Sequence, residues 1–484
     1  MSLLAPRRHL KPVVMFMDMQ DAEGRPASKD RSRLLVAALL IVIILLAFAL
    51  RLYRLDNQSL WYDEGFSVYL AGMDIDQITA RTAADIQPPL YYYLLHGWIQ
   101  LFGDTEWALR ALSVLFGVFT VPLSYAVAQL LFRSRLAGLL AALLVAVSPL
   151  HVWYGQEVRM YTMLTFLCLL SSYFLLLAVR AKGGWAVPVL WAAFAAASVA
   201  ALYTHYFALF VIAFQAVYVL VVLAIQRFRA LHLLLGSLAS GVATLVLYLP
   251  WMPHLFTRYG ADASYWPGKL KIHEVLVDIA ISFTGGESVS ESVGIALALG
   301  GGLIFLVCLV ALVSDAAHAA QPVQGMFGFL PVSYFPLLFL LLYLLLPPAL
   351  ILAVSYNSPK FNARYVMVSH PALLLVLAGG LAALWQRRSG YLGNVLRGAL
   401  SALALLLLLS VSAYANYSAY SDPTFSRADF RSAARYVRQH LGPQETIILT
   451  SGHFFPVWDY YAPGLERHLL PNSPTLDTNL TLDY

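Results

Sequence analysis

The sequence predicts a polytopic α-helical membrane protein, and three observations predict it. Mean hydropathy is +0.70. Of 484 residues 60% are hydrophobic and only 12% charged, where soluble domains carry about a quarter. Apolar runs recur along the chain, each near the ~20 residues that cross ~30 Å of hydrocarbon as a helix. The runs are continuous rather than alternating, which fits helices and excludes barrel strands.

The first run, 34–52, follows a tail holding Arg7, Arg8, Lys11, Lys29, Arg31 and Arg33. It is longer than the apolar core of a signal peptide and lacks a small-residue cleavage site. It is therefore expected to be a retained first helix with its N-terminus in the cytoplasm. Further spans are expected at 108–131, 136–150, 158–179, 185–203, 207–225, 231–249, 293–313, 334–355, 364–385 and 396–414, roughly eleven in all. Counted from an inside N-terminus, the cytoplasmic loops hold Arg133/Arg135, Arg180/Lys182, Arg227/Arg229 and Arg387/Arg388, the positive-inside pattern. The loop near Asp315–His318 is the exception.

The expected organisation is a cytoplasmic tail (1–33), a transmembrane domain (34–415) and a small or incomplete extracytoplasmic α/β segment (416–484). In that last segment 428–440 reads as an amphipathic helix, 446–450 as a strand and 455–461 as an aromatic-rich stretch. It is too small to bury much core alone and is expected to pack on the membrane domain. Cys168 and Cys308 fall in apolar runs, so neither a disulfide framework nor a thiolate metal site is indicated. The net charge of +5 comes from basic residues at helix ends and marks no nucleic-acid partner.

The same count places nearly every interesting polar group outside. Asp63-Glu64 lies after the first span, Gln156-Glu157-Val-Arg159 between two later ones, and Lys360-Phe-Asn-Ala-Arg364-Tyr365 before another. Ionisable groups kept at a membrane boundary are candidate functional residues. Asp63 and Glu64 are adjacent, so their side chains diverge. A carboxylate beside another in a partly dry cleft becomes a better base. Pairing with Arg51 or Arg54 is the structural alternative. Glu157 and Tyr161 are expected on one helix face at i, i+4, where Glu157 would orient a substrate or, with a histidine, hold a divalent cation. A Glu157–Arg159 contact is the bland alternative. Lys360 and Arg364 suit a phosphate, Arg by its planar fork and Lys as a point charge. His96, His151, His205, His254 and His370 show no metal-ligand spacing, and His254 is the least unlikely ligand.

The motifs Leu-Trp-Tyr-Asp63-Glu64-Gly, Gln87-Pro-Pro-Leu-Tyr-Tyr-Tyr93, Ala-Leu-Arg110-Ala-Leu-Ser113, Gln156-Glu-Val-Arg-Met-Tyr161 and Ala363-Arg364-Tyr365, in this order, carry a resemblance. Over about 35–415 the chain resembles the bacterial dolichyl-phosphate-mannose protein mannosyltransferase-like and lipopolysaccharide glycosyltransferase family. The resemblance implies a GT-C fold, a polyprenyl- or dolichyl-phosphate sugar donor, inversion at the anomeric carbon and a lipid, glycan or protein acceptor. It implies Asp63 as general base with Glu64 as its partner. Glu157, Arg159, Tyr161, Gln87, Lys360, Arg364 and Tyr365 become the substrate-binding candidates. A divalent cation is the candidate cofactor, with Glu157 and His254 as its candidate ligands. A transporter or flippase of lipid-linked saccharides would share the spans. It would carry its ionisable groups at mid-membrane on interrupted helices, whereas here they crowd one face.

Overall fold

The computed structural model describes residues 27–85, 87–181, 183–225, 231–261, 269–319, 332–356, 361–386, 391–450 and 454–469. Lys360, Lys182, Arg227, Arg229, Arg387, Arg388 and the tail to residue 26 lie outside them. Among the described residues ten helices are long and apolar enough to cross a membrane, or eleven if one bent pair counts as a span. The protein is a multi-pass membrane protein.

The first span is α1 (Ala27–Leu52). The loop after it folds into α2 (Tyr62–Ala71), α3 (Ile75–Ala83) and α4 (Leu90–Phe102). Then come α5 (Glu106–Phe132), the bent pair α6 (Arg135–Val147) and α7 (Pro149–Gly155), α8 (Tyr161–Arg180), α9 (Ala186–Thr204), α10 (Ala208–Ile225) and α11 (Leu231–Tyr248). Two shorter helices, α12 (Met252–Ala261) and α13 (Ile272–Gly285), precede α14 (Glu291–His318) and α15 (Phe335–Ser355). A 3₁₀ turn, Ala363–Ser369, leads into α16 (His370–Gln386), and α17 (Tyr391–Ser421) is the last span, running past the expected boundary at 415.

α16 is the best-covered helix of the bundle, and its small residues explain why. A Cβ on Gly379 would lie 2.3 Å from Phe132, and one on Gly380 2.3 Å from Cys308, so neighbouring helices close in where glycine leaves room. α1, α14 and α17 instead leave most of their apolar surface to lipid. Cys168 and Cys308 are both buried and free.

The bend between α6 and α7 is 53°. Proline disfavours helix for the residue before it, and Ser148, before Pro149, is indeed out of helical geometry. The carbonyls this break leaves open are taken by Arg51, whose guanidinium donates to Ala146 O at 2.9 Å and Val145 O at 3.1 Å. Arg51 is buried, a cation at a helix C-terminus. Its close fit needs Gly155 and Gly117, whose added Cβ atoms would lie 3.3 and 3.0 Å from it.

After α17 the chain forms α18 (Phe430–His440), β1 (Ile447–Leu449), α19 (Phe455–Tyr461) and β2 (Arg467–Leu469), with β1 and β2 parallel. Ala434, Ile447, Trp458 and Ala462 make its small core. The expected docking on the membrane domain is observed. Val457 of α19 sits on α2 where a Cβ on Gly65 would lie 2.5 Å from it. Phe455 meets Tyr69 edge-on at 5.1 Å, and Tyr461 OH accepts from Leu60 N at 2.6 Å.

Candidate active site

The acidic pair opens α2. Glu64 is its third residue and accepts from Trp61 N at 3.3 Å, which satisfies an open N–H of the first turn. One residue apart on a helix, the two carboxylates face different partners. Glu64 is fully buried and turns to Arg110 of α5, which donates Nε to Oε1 at 2.9 Å and NH2 to Oε2 at 2.8 Å. Val158 N donates to Oε1 at 2.9 Å, and Arg427 NH1 approaches Oε2 at 3.4 Å. Burial alone would raise this carboxyl; Arg110, Arg427 and the Val158 N–H more than offset it and hold it below its ordinary value.

Asp63 turns the other way. Arg364 NH1 donates to Oδ2 at 2.8 Å, and Arg159 NH2 lies 3.9 Å from the same oxygen. Its Oδ1 takes no hydrogen bond from the described residues, and the side chain keeps 14% exposure. Arg51 and Arg54 therefore pair with neither acid; Arg54 donates to Tyr420 O at 2.6 Å and Asn57 Oδ1 at 3.0 Å.

Glu157 corrects the sequence expectation. Helix α7 ends at Gly155 and α8 begins at Tyr161, so 156–160 is a non-helical link and Glu157 and Tyr161 share no helix face. Nor does Glu157 bond Arg159 through its side chain; its partner is Arg427, which donates NH2 to Oε1. Glu157 Oε2 is buried without a partner. Burial pushes the carboxyl up, and Arg427 and Arg364 offset only part of that.

Arg159 is buried, held by Asp63 and by the Asp63 carbonyl at 3.2 Å, and its charged form is strengthened by Asp63 against burial. Arg364 lies over the rings of Tyr161 at 5.3 Å, Trp61 at 5.7 Å and Tyr365 at 5.8 Å, cation–π contacts that fix its plane. The Nε atoms of Arg159 and Arg364 are buried without a partner. Gln87 stands further back, buried and bonded by Tyr92, which itself lies in the field of Arg159. His254 packs on Trp251, with ring centroids 4.9 Å apart. Lys360 lies outside the described residues.

The cluster thus brings together Asp63, Glu64, Glu157, Arg159, Tyr161, Arg364 and Tyr365, with Gln87 behind and His254 apart. Sequence reasoning missed two members. Arg110 stood inside a quoted motif without a role, although an arginine in an apolar run was signal enough. Arg427 gave no signal at all. It arrives from the segment after the last span, with Trp61 at 5.1 Å and Trp153 at 5.2 Å from its guanidinium.

The expected cation does not fit these residues. Each carboxylate of the cluster faces an arginine, and no group of three His, Cys, Asp or Glu among the described residues could hold an ion. Four arginines against three carboxylates leave the cluster with a net charge of +1, which favours an anion.

Comparison with known proteins agrees with this architecture. Residues 86–254 match the family of dolichyl-phosphate-mannose-protein mannosyltransferases. ArnT from Cupriavidus metallidurans in the apo state is similar over 92% of this chain and 86% of its own, at 17% identity and a TM-score of 0.57. The archaeal oligosaccharyltransferase AglB from Archaeoglobus fulgidus, with an inhibitory peptide and a dolichol-phosphate, gives 12% identity and 0.58 over 89% of this chain. The fold is GT-C. The match spans 64% of the AglB chain. ArnT bound to undecaprenyl phosphate is similar at 16% identity and 0.53, over 92% of this GT-C chain and 86% of its own. A further oligosaccharyltransferase structure from A. fulgidus holds Zn and sulfate. No curated protein matches the sequence.

Proposed function

We propose that this GT-C protein is a glycosyltransferase that moves a sugar from a polyprenyl-phosphate donor to an extracytoplasmic acceptor with inversion. The observation that carries the reading is the arrangement around Asp63: a partly exposed carboxylate flanked by two guanidiniums on Oδ2, with Oδ1 unbonded among the described residues. The match of 86–254 to a lipid-phosphate-sugar family and the fold shared with a protein bound to undecaprenyl phosphate support it. The reading takes the N-terminus as cytoplasmic and the cluster as outside, which the basic residues at 133–135, 180–182, 227–229 and 387–388 support.

In such a reaction the acceptor hydroxyl attacks the anomeric carbon from the face opposite the phosphate. Asp63 takes the hydroxyl proton through Oδ1. The bond from the sugar to the phosphate oxygen breaks, and polyprenyl phosphate leaves with an added negative charge. Arg159 and Arg364 are the groups to meet that charge, each with an unbonded Nε and Arg364 braced by three rings. The two steps help each other. A protonated Asp63 no longer holds the guanidiniums, so their charge is released to the phosphate as the phosphate needs it. Glu64 serves differently. With both oxygens occupied it locks α2, α5 and the 156–160 link together and keeps Asp63 in place.

The test is reconstitution in liposomes with polyprenyl-phosphate sugars, following release of polyprenyl phosphate. Wild type should release it with transfer of sugar. Movement of the lipid between leaflets without release would overturn the reading in favour of a transporter.

A further inference from the structure

We propose that Arg427 is a built-in counter-cation that bridges the acidic residues of the first and second loops, so that the site works without a metal. The inference rests on the glycosyltransferase reading for its reaction, and on geometry alone for the cation.

The guanidinium spans two loops. NH1 reaches Glu64 of α2, and NH2 binds Glu157 of the 156–160 link. A metal joining these loops would need the same oxygens, and Arg110 and the Val158 N–H already fill what Arg427 leaves of Glu64. The surroundings suit guanidinium and not a hard ion. Hard divalent ions take six or more oxygens, whereas Arg427 has indole rings of Trp61 and Trp153 near 5 Å. Guanidinium is weakly hydrated and stacks on aromatic faces. A metal added beside it would meet Arg110 and Arg427 together, two positive charges at close range.

Arg427 is also fixed rather than swinging. Its N–H donates to Gln58 Oε1 at 3.2 Å, and Ser59 Oγ donates to Ala428 O at 3.0 Å while accepting from Phe430 N at 3.1 Å. Four residues on, Arg431 donates to Glu106 at 3.1 Å and to Asp56 O at 2.8 Å. The segment after the last span is thus stitched to 56–59 and to the start of α5, on both sides of the bridge.

The experiment uses the purified full chain, with Mn²⁺ and EDTA as probes, and reads Mn²⁺ binding by electron paramagnetic resonance, thermal midpoint and sugar transfer. Wild type is expected to bind no stoichiometric Mn²⁺ and to keep its midpoint and transfer in EDTA. Arg427→Ala is expected to lose transfer by about tenfold or more and to lower its midpoint, because Glu157 is left buried without its cation, and Mn²⁺ is expected to restore neither, since Arg110 and the Val158 N–H still occupy Glu64. Arg427→Lys keeps the charge and serves if the alanine variant does not fold; it should retain metal-independent transfer at a reduced rate. The proposal is overturned if wild type binds stoichiometric Mn²⁺ and loses transfer in EDTA, or if folded Arg427→Ala transfers as wild type does without metal. Mn²⁺ binding and midpoint need no donor, so wild type that transfers no sugar would defeat the glycosyltransferase reading and leave this comparison decisive by itself.

Discussion

Glu64 and Arg110 face each other through two parallel bonds of 2.9 and 2.8 Å in a place closed to solvent. They lie 46 residues apart in the chain and join α2 to α5. A buried pair of this kind is costly to break from one side, because the remaining charge is stranded.

Glu64→Gln should therefore lower stability by about 3 kcal/mol or more, read as the midpoint of thermal or denaturant unfolding in detergent. The Glu64 carboxyl is held below its ordinary value of 4.5 in the folded chain. Its contribution is complete above that value and is lost as pH falls through the folded one. The midpoint of wild type should drop on acidification, and that part of the drop should vanish in Glu64→Gln. An unchanged acid limb in the variant would reject the assignment.

Glu157 acts in the opposite sense. Its folded carboxyl lies above 4.5 through burial, so it favours the folded chain most at low pH and weakens it as pH rises through that window. Only the ionised form holds Arg427. The pH profile of kcat/KM should show an acid limb above the ordinary carboxylate range in wild type. Glu157→Gln should be slow at every pH and lack that limb. A limb kept by the variant would mean that another group carries it.

Arg364→Lys and Arg159→Lys should reduce kcat by about 100-fold while KM changes much less, because the guanidiniums meet charge that develops on the leaving phosphate. A rise confined to KM would mean that they bind the donor without assisting its departure.

Gly65→Ala tests the docking of the C-terminal segment. The new Cβ would lie 2.5 Å from Val457 Cβ and 2.6 Å from its Cα, so α19 must move. A loss of about 1–3 kcal/mol is expected. Trimming Val457 to alanine should not restore it, since the backbone is also in the way.

The spans were legible because hydropathy acts locally: each window of ~20 residues reports its own burial in lipid. Asp63-Glu64 was legible for the same reason, as charge in an apolar chain. What the residues do to each other was not. Glu64 meets Arg110 and Glu157 meets Arg427 across 46 and 270 residues, and no local pattern encodes such distances. The i, i+4 reading of Glu157 and Tyr161 failed because α7 stops at Gly155 and a new helix starts at Tyr161. The partners of the acids were hidden for a related reason: acidic positions were visible in sequence, but the arginines that face them, Arg110, Arg159, Arg364 and Arg427, are scattered over four segments.

The most direct measurement is sugar transfer from a polyprenyl-phosphate donor by reconstituted Asp63→Asn, with thermal midpoint recorded beside it. Asparagine keeps the shape and cannot take the proton. The account predicts a fall of about 10²–10⁴-fold in kcat with the fold intact. Transfer at the wild-type rate by a correctly inserted variant would contradict it.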